Sequence, residues 1–377
     1  MHLRDHRAAP PVTAPAGARR RLPPLPWSDG IRGVALVVVV VWHAVLTVVP
    51  ADPTPVQHAL MLPLGVAARL SLLSFIVLSG FLLGRHWDGD LRRFTLRRCW
   101  RILPPYWIAV LLTIAAMAWL GLAEPHGSHW DTGLPFTPER TWATLLLVTD
   151  LAGMVPISHP LWTVPVELHL YLLAPLVVLF RREATVLVAG VLGTLAIAFL
   201  APGFIAPHFV LAFMAAFWSG VRRQRPLEVT PAFAGAIGAS FLLVAGAVLL
   251  LGDLSSSATR YLVVDCVVAP VLLLWILRGD LVGGPSALRD LLARRGPQRL
   301  GSRSYSTYLL HAVALELVWR AGVDEVPGET AALVVMCLLG LLASLVAGEL
   351  LFRAVEAPCT ARAASVRRTL PRERRPA

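Results

Sequence analysis

Residues 29–44 read DGIRGVALVVVVVWHA. From Val34 to Trp42 every side chain is apolar, and the block continues to Val49. It reads as a helix crossing a hydrocarbon layer about 30 Å thick. Two residues stand out against that layer, Arg32 at its start and His43 within it. Eleven residues at 100° each make about 1100° of rotation, so the two lie within about 20° on one face and about 16 Å apart along the axis. A cation at one mouth with an imidazole near mid-membrane suits an extended anionic ligand whose reactive end is uppermost. Taken singly, each has a plainer reading: an arginine snorkelling to the interface, and a histidine hydrogen-bonded to a neighbouring helix. Their shared face favours a function.

The same character extends along the chain. Of 377 residues 56% are hydrophobic and 15% charged, too apolar a balance for a soluble protein of this size. The apolar residues fall in blocks of about 18–24, the length of a membrane span. Ten spans are expected, near 31–49, 64–84, 104–123, 162–180, 184–201, 205–221, 232–252, 259–277, 304–320 and 330–352. The predicted fold is therefore an all-α integral membrane protein, a bundle of about ten transmembrane helices with both termini cytoplasmic. Within 124–161 the stretch TWATLLLVTDLAGM, at about 14 residues, is too short to span and reads as interfacial or re-entrant. Residues 1–27, rich in Pro and Arg and without a signal-peptide cleavage site, are expected to form a disordered cytoplasmic tail. Residues 28–358 form one membrane domain, and 359–377 a basic cytoplasmic tail.

Charge placement tests this topology. All 34 basic residues are arginine, and 29 fall in the segments assigned to the cytoplasm. Only Arg69, Arg140, Arg260 and Arg320 lie on the outer side, where Asp52, Glu124, Asp131, Asp324, Glu325 and Glu329 also lie. This is the positive-inside pattern. The net charge of +11 then reflects topology and attraction to anionic lipid headgroups rather than nucleic acid. Cys99, Cys266, Cys337 and Cys359 have no metal-ligand spacing and imply neither a metal site nor a disulfide framework. Arginine without lysine, with abundant Ala and Val, points to a GC-rich bacterial genome and so to a multi-pass protein of the bacterial plasma membrane.

Ionisable groups inside a span cost a few kcal/mol each and are functional candidates by default. Here they are Arg32, His43, Arg69, Glu167, His169, Asp265, His311, Glu316 and Glu349. Several stand in longer segments: FIVLSGFLLGR (75–85), FTLRRCWRILPPYW (94–107), LWTVPVELHLYLLAPL (161–176), LGSRSYSTYLLH (300–311) and VEAP (355–358). Together with the opening stretch, and in this order, they resemble the acyltransferase 3 family of integral membrane acyltransferases. That family's mark is a basic residue, ten residues, then histidine. The chain departs from the family at Thr163, Leu168 and His169. The resemblance implies transfer of an acyl group, acetyl on family frequency, from cytoplasmic acyl-CoA to a hydroxyl of a carbohydrate or glycosylated acceptor. It implies no bound cofactor, acyl-CoA being a substrate, and leaves the oligomeric state open.

Acyl transfer from a thioester needs a base for the hydroxyl, stabilisation of the oxyanion and a dock for the CoA phosphates. His43 is the candidate base or first acyl acceptor, and both routes remain open. Arg32 would anchor a phosphate or the pantetheine arm. Among Arg92, Arg93, Arg97, Arg98 and Arg101, the last three are the expected acyl-CoA dock, since guanidinium binds phosphate bidentately; the cluster also reads as a topology-setting loop. Glu167 is either an acid favoured by the N-terminal helix dipole near Pro165 or a group that binds the acceptor or orients His43. Tyr171 shares its face one turn on. Secondary candidates are Ser79, equally a packing residue beside Gly80, Trp162, equally an interfacial anchor, and His311, equally a helix–helix hydrogen bonder. Asp265, Glu316 and Glu349 either pair with Arg69 or line an acceptor cavity. A transporter using His and Glu as a proton relay is the competing class, though no paired halves are visible. A non-catalytic scaffold is the third, and CoA binding separates both from the enzyme.

Overall fold

Backbone inside hydrocarbon must satisfy its own hydrogen bonds, which a helix does within one segment. The computed structural model describes residues 22–122, 127–128, 130, 136–180, 182–201, 206–223, 229–253, 257–282 and 286–369. Among these it is helical, with only an isolated bridge between Pro50 and Ser128. The tail stretches 1–21 and 370–377, and the expected outer acids Glu124 and Asp131, lie outside the described residues.

The helices in chain order are α1 (Pro26–Val48), α2 (Pro55–Arg85), α3 (Leu91–Leu120), α4 (Pro138–Leu145), α5 (Thr163–Leu179), α6 (Glu183–Leu200), α7 (His208–Arg222) and α8 (Pro231–Leu251). There follow α9 (Ser257–Val282), α10 (Ala287–Leu292), α11 (Arg295–Ser302), α12 (Ser304–Val318), α13 (Glu329–Val335), α14 (Leu341–Leu351) and α15 (Ala357–Thr369). Short π-turns at Met336–Gly340 and Phe352–Glu356 join the last three into one run. Eight helices among the described residues are long and apolar enough to cross a membrane. The two expected spans outside that set are α7 and α12, of 15 residues each, or about 22 Å at 1.5 Å per residue.

Local chemistry fixes the boundaries. Thr54 and Gln57 form a capping box ahead of α2, with Pro55 in the first turn. Asp90 caps α3 through the Arg93 amide, and Gly121 ends it at φ 67°, a conformation that favours glycine. Because α3 starts at Leu91, the arginine-rich stretch is its first turns rather than a loop. The stretch from Thr141 to Met154 does not span. Helix α4 ends at Leu145 and turns follow, and α3 holds this segment by bonds from Tyr106 Oη to the Thr144 carbonyl (2.7 Å) and from Trp107 Nε1 to the Leu145 carbonyl (3.1 Å).

Close helix contact depends on small residues, since two bundle helices in lipid gain mainly by packing. Gly84 lies against the Phe217 carbonyl and Gly220 against the Phe81 carbonyl, which brings α2 and α7 together. Gly30, Gly33 and Gly301 do the same for α1 against α10 and α11. The junctions of buried helices also carry paired charge. Arg85 and Arg223 both bond Asp280, at 3.0 and 2.6 Å, and Arg85 donates to the Pro23 carbonyl. Toward the opposite end Arg69 and His208 both bond Asp265, at 2.6 and 2.8 Å.

Candidate active site

A cavity of about 490 Å³ opens between the first turns of α1, the second half of α2, the first turns of α3, and α5 and α12. Four arginines line it: Arg32 from α1, Arg85 from α2, which is paired with Asp280, and Arg98 and Arg101 from α3. Arg32 has only a 3.4 Å contact with Asp29. Arg98 and Arg101 form no salt bridge with any described residue. Arg98 lies 5.9 Å from the centre of the Tyr171 ring, and its Nε is buried without a hydrogen-bond partner. A buried donor left unpaired costs about 1–3 kcal/mol, so Arg98 is open to a hydrogen-bond acceptor from a ligand in the cavity.

The wall facing the arginines is built around one carboxylate. Glu167 accepts from Ser79 Oγ (2.8 Å) and from the Tyr171 hydroxyl. Tyr171 sits one turn along α5 and Ser79 comes across from α2, and all three side chains line the cavity. The helix-dipole reading of Glu167 is thus incomplete, because its oxygen is occupied by side chains of α2 and α5. Farther along, Tyr308 of α12 donates to the Pro160 carbonyl (2.8 Å) and receives a bond from Thr163 Oγ1 (2.9 Å).

Beyond Tyr308 lies a pair of imidazoles. His43 Nδ1 is 2.7 Å from His311 Nε2, and His311 Nδ1 is 2.6 Å from the Tyr308 carbonyl. The ring of Trp130 packs on His43 at 4.2 Å between centres, and His159 packs on Trp130 at 5.2 Å. His43 is therefore not among the residues lining the arginine cavity; Tyr308, 5.3 Å from the His311 ring centre, stands between the two. Arg32 and His43, expected on one face of α1, therefore do not line one cavity.

Other expectations divide. Arg97 does not line the cavity: it bonds Asp88 at 2.8 Å. Burial raises the Asp88 carboxyl, but the bond and charge of Arg97 outweigh this and hold it below the usual carboxylate range. Arg93 is likewise paired, with Asp90 at 3.0 Å. Trp162 packs against the apolar core and does not line the cavity, whereas its neighbour Thr163 does. The remaining intramembrane acids are paired: Asp265 with Arg69 and His208, Glu316 with Arg320, and Glu349 with Arg303 and Arg353. His169 bonds Asp150 at 2.8 Å, on a different side of α5 from Glu167. Sequence reading missed Tyr305, Tyr308 and Gln298 as lining residues. The two tyrosines, like Tyr308 and His311, are three residues apart in SYSTYLLH, a spacing that puts them on one helix face.

Described residues hold no cluster of three or more side chains able to bind a metal ion. No curated protein and no solved structure matches the chain. A family described as an acyltransferase domain matches residues 25–349. That match takes in α1 through most of α14, with every arginine of the cavity, Glu167 and both imidazoles. By this match the chain belongs to the acyltransferase 3 family, and it is a membrane acyltransferase.

Proposed function

We propose that this protein moves an acyl group, acetyl in the simplest case, from acyl-CoA to a hydroxyl of a carbohydrate or glycosylated acceptor. The observation that carries the proposal is the cavity with Arg32, Arg98 and Arg101 on its wall, the last two in no salt bridge with a described residue. Guanidinium groups recognise phosphate bidentately, and CoA presents a diphosphate and a ribose phosphate at the end remote from its thioester. Phosphates held by these arginines leave the pantetheine arm to run along α1. Arg32 and His43 are about 16 Å apart along that helix, a span an extended pantetheine arm can bridge to bring the thioester to the imidazoles.

His43 then serves as general base for the acceptor hydroxyl, or takes the acyl group first. Glu167, held by Tyr171 and Ser79, is placed to hydrogen-bond an acceptor hydroxyl or to orient the donor arm. On this reading the arginine-rich end faces the cytoplasm of a bacterium, in its plasma membrane, and the chain crosses ten times with both termini inside.

The test uses inside-out membrane vesicles supplied with labelled acetyl-CoA, comparing wild type with His43→Ala. Label entering a lipid, polysaccharide or small-molecule fraction together with free CoA, both lost in the variant, is the expected result. Equal transfer by the His43→Ala protein refutes the role of His43. Absence of both CoA binding and transfer in wild type refutes the donor assignment.

A further inference from the structure

The hydrogen bonds around His43 fix where its protons are. A carbonyl oxygen only accepts, so the contact of His311 Nδ1 with the Tyr308 carbonyl at 2.6 Å places the ring hydrogen of His311 on Nδ1. A neutral imidazole has one N–H, which leaves a lone pair on His311 Nε2. Its partner at 2.7 Å, His43 Nδ1, must then be the donor. The free lone pair of neutral His43 is therefore on Nε2, to which no described residue hydrogen-bonds. The two rings are within 9° of coplanar and their centres are 4.9 Å apart. That separation equals the nitrogen–nitrogen distance plus one ring radius at each end, so the bond is straight, its strongest form. Trp130 against the His43 ring opposes rotation out of this geometry.

We propose that His311 is a positioning residue, holding His43 in the Nδ1–H tautomer so that Nε2 takes the proton of the acceptor hydroxyl. This rests on the acyl-transfer reading above. In the step, the hydroxyl O–H bond breaks, its proton passes to His43 Nε2, and the oxygen bonds the acyl carbon. The C–S bond then breaks and Nε2 returns the proton to the CoA sulfur. His311 accepts from Nδ1–H throughout and neither gains nor loses a proton. A neutral acceptor also spares the membrane interior the second buried charge that a carboxylate would bring.

Two variants separate positioning from packing between α1 and α12. His311→Leu keeps the bulk and removes the acceptor; His311→Gln offers Oε1 near the place of Nε2. In the leucine variant kcat should fall about 10²-fold or more, with KM for acyl-CoA unchanged, and glutamine should restore most of the loss. A leucine variant with wild-type kcat, or a glutamine variant no better than leucine, overturns the proposal. A second measurement does not depend on turnover. In histidine-labelled protein in lipid, nitrogen NMR reads the tautomer of His43, its signal identified by loss in His43→Ala. The expected result is hydrogen on Nδ1 in wild type and a mixture of tautomers in the leucine variant. Hydrogen on Nε2 in wild type overturns the proposal whether or not acyl-CoA is consumed. The expected tautomer in a protein without acyl-CoA turnover fails the functional reading alone.

Discussion

Arg98 brings a charge to the cavity that no described acid meets in a salt bridge, and Arg97, its immediate neighbour, brings one already matched by Asp88. The two should respond differently to substitution. A hydrogen bond to a charged group contributes about 1.5–3 kcal/mol, and each 1.4 kcal/mol is tenfold in affinity. Arg98→Ala is thus expected to raise KM for acyl-CoA by about 10- to 100-fold with little change in kcat. Arg97→Ala should leave KM within about twofold, since its partner is Asp88 rather than the ligand. Steady-state kinetics on purified protein checks both, and equal effects would refute the assignment. Glu167→Gln keeps an oxygen for Ser79 and Tyr171 but removes the charge. It should accumulate normally and bind CoA, yet lose turnover; a variant that fails to accumulate would mark Glu167 as structural. The sequence named the arginines, the carboxylate and both imidazoles. It did not say which arginine met an acid, because Asp88 lies nine residues before Arg97 across a turn, and only the path of residues 86–90 brings them together.

At the scale of the element, spans were legible because a helix in lipid announces itself by length and apolar content. Their extents were less so. Helix α3 runs through LRRFTLRRCW, where arginines interrupt the hydropathy but not the hydrogen-bonding, so a window on apolarity starts the helix a dozen residues late. Crossings were not legible at all, since they depend on which small residues face one another. The contact of α2 with α7 is the clearest instance. Gly84 and Gly220 each face the other helix's backbone at a carbonyl, and backbone cannot move aside as a flexible side chain does. Gly84→Leu or Gly220→Leu should force the helices apart and dislodge Phe81, Phe213 and Phe217, all fully buried. Overpacking of this kind costs about 1–3 kcal/mol or more. Thermal melting in detergent should show a lowered midpoint for both variants, and the same substitution at Gly235, which faces open space, should leave the midpoint unchanged.

For the whole molecule the decisive quantity is the number of crossings. Length and composition select eight helices; the arginine distribution asks for ten. The difference rests on α7, short but almost wholly buried, and α12, short and buried along more than half its length, so neither has to match the hydrocarbon thickness with its own apolar length. Were α7 not to cross, Arg222 and Arg223 would share a side with the segment after α6, yet Arg223 bonds Asp280 in the same cluster as Arg85. That cluster ties the ends of α2, α7 and α9 to one side of the bundle, which favours a crossing by α7. Single cysteines placed in a protein with its four native ones replaced can decide the matter. Ala201 and Thr230 flank α7 and α8's start, and Asp290 and Glu325 flank α12; all four are exposed. A membrane-impermeant maleimide added to intact cells should label cysteines at 201 and 325 and spare those at 230 and 290, with the pattern reversed in inside-out vesicles. Labelling of 201 and 230 from one side would remove α7 as a crossing, and labelling of 290 and 325 from one side would remove α12.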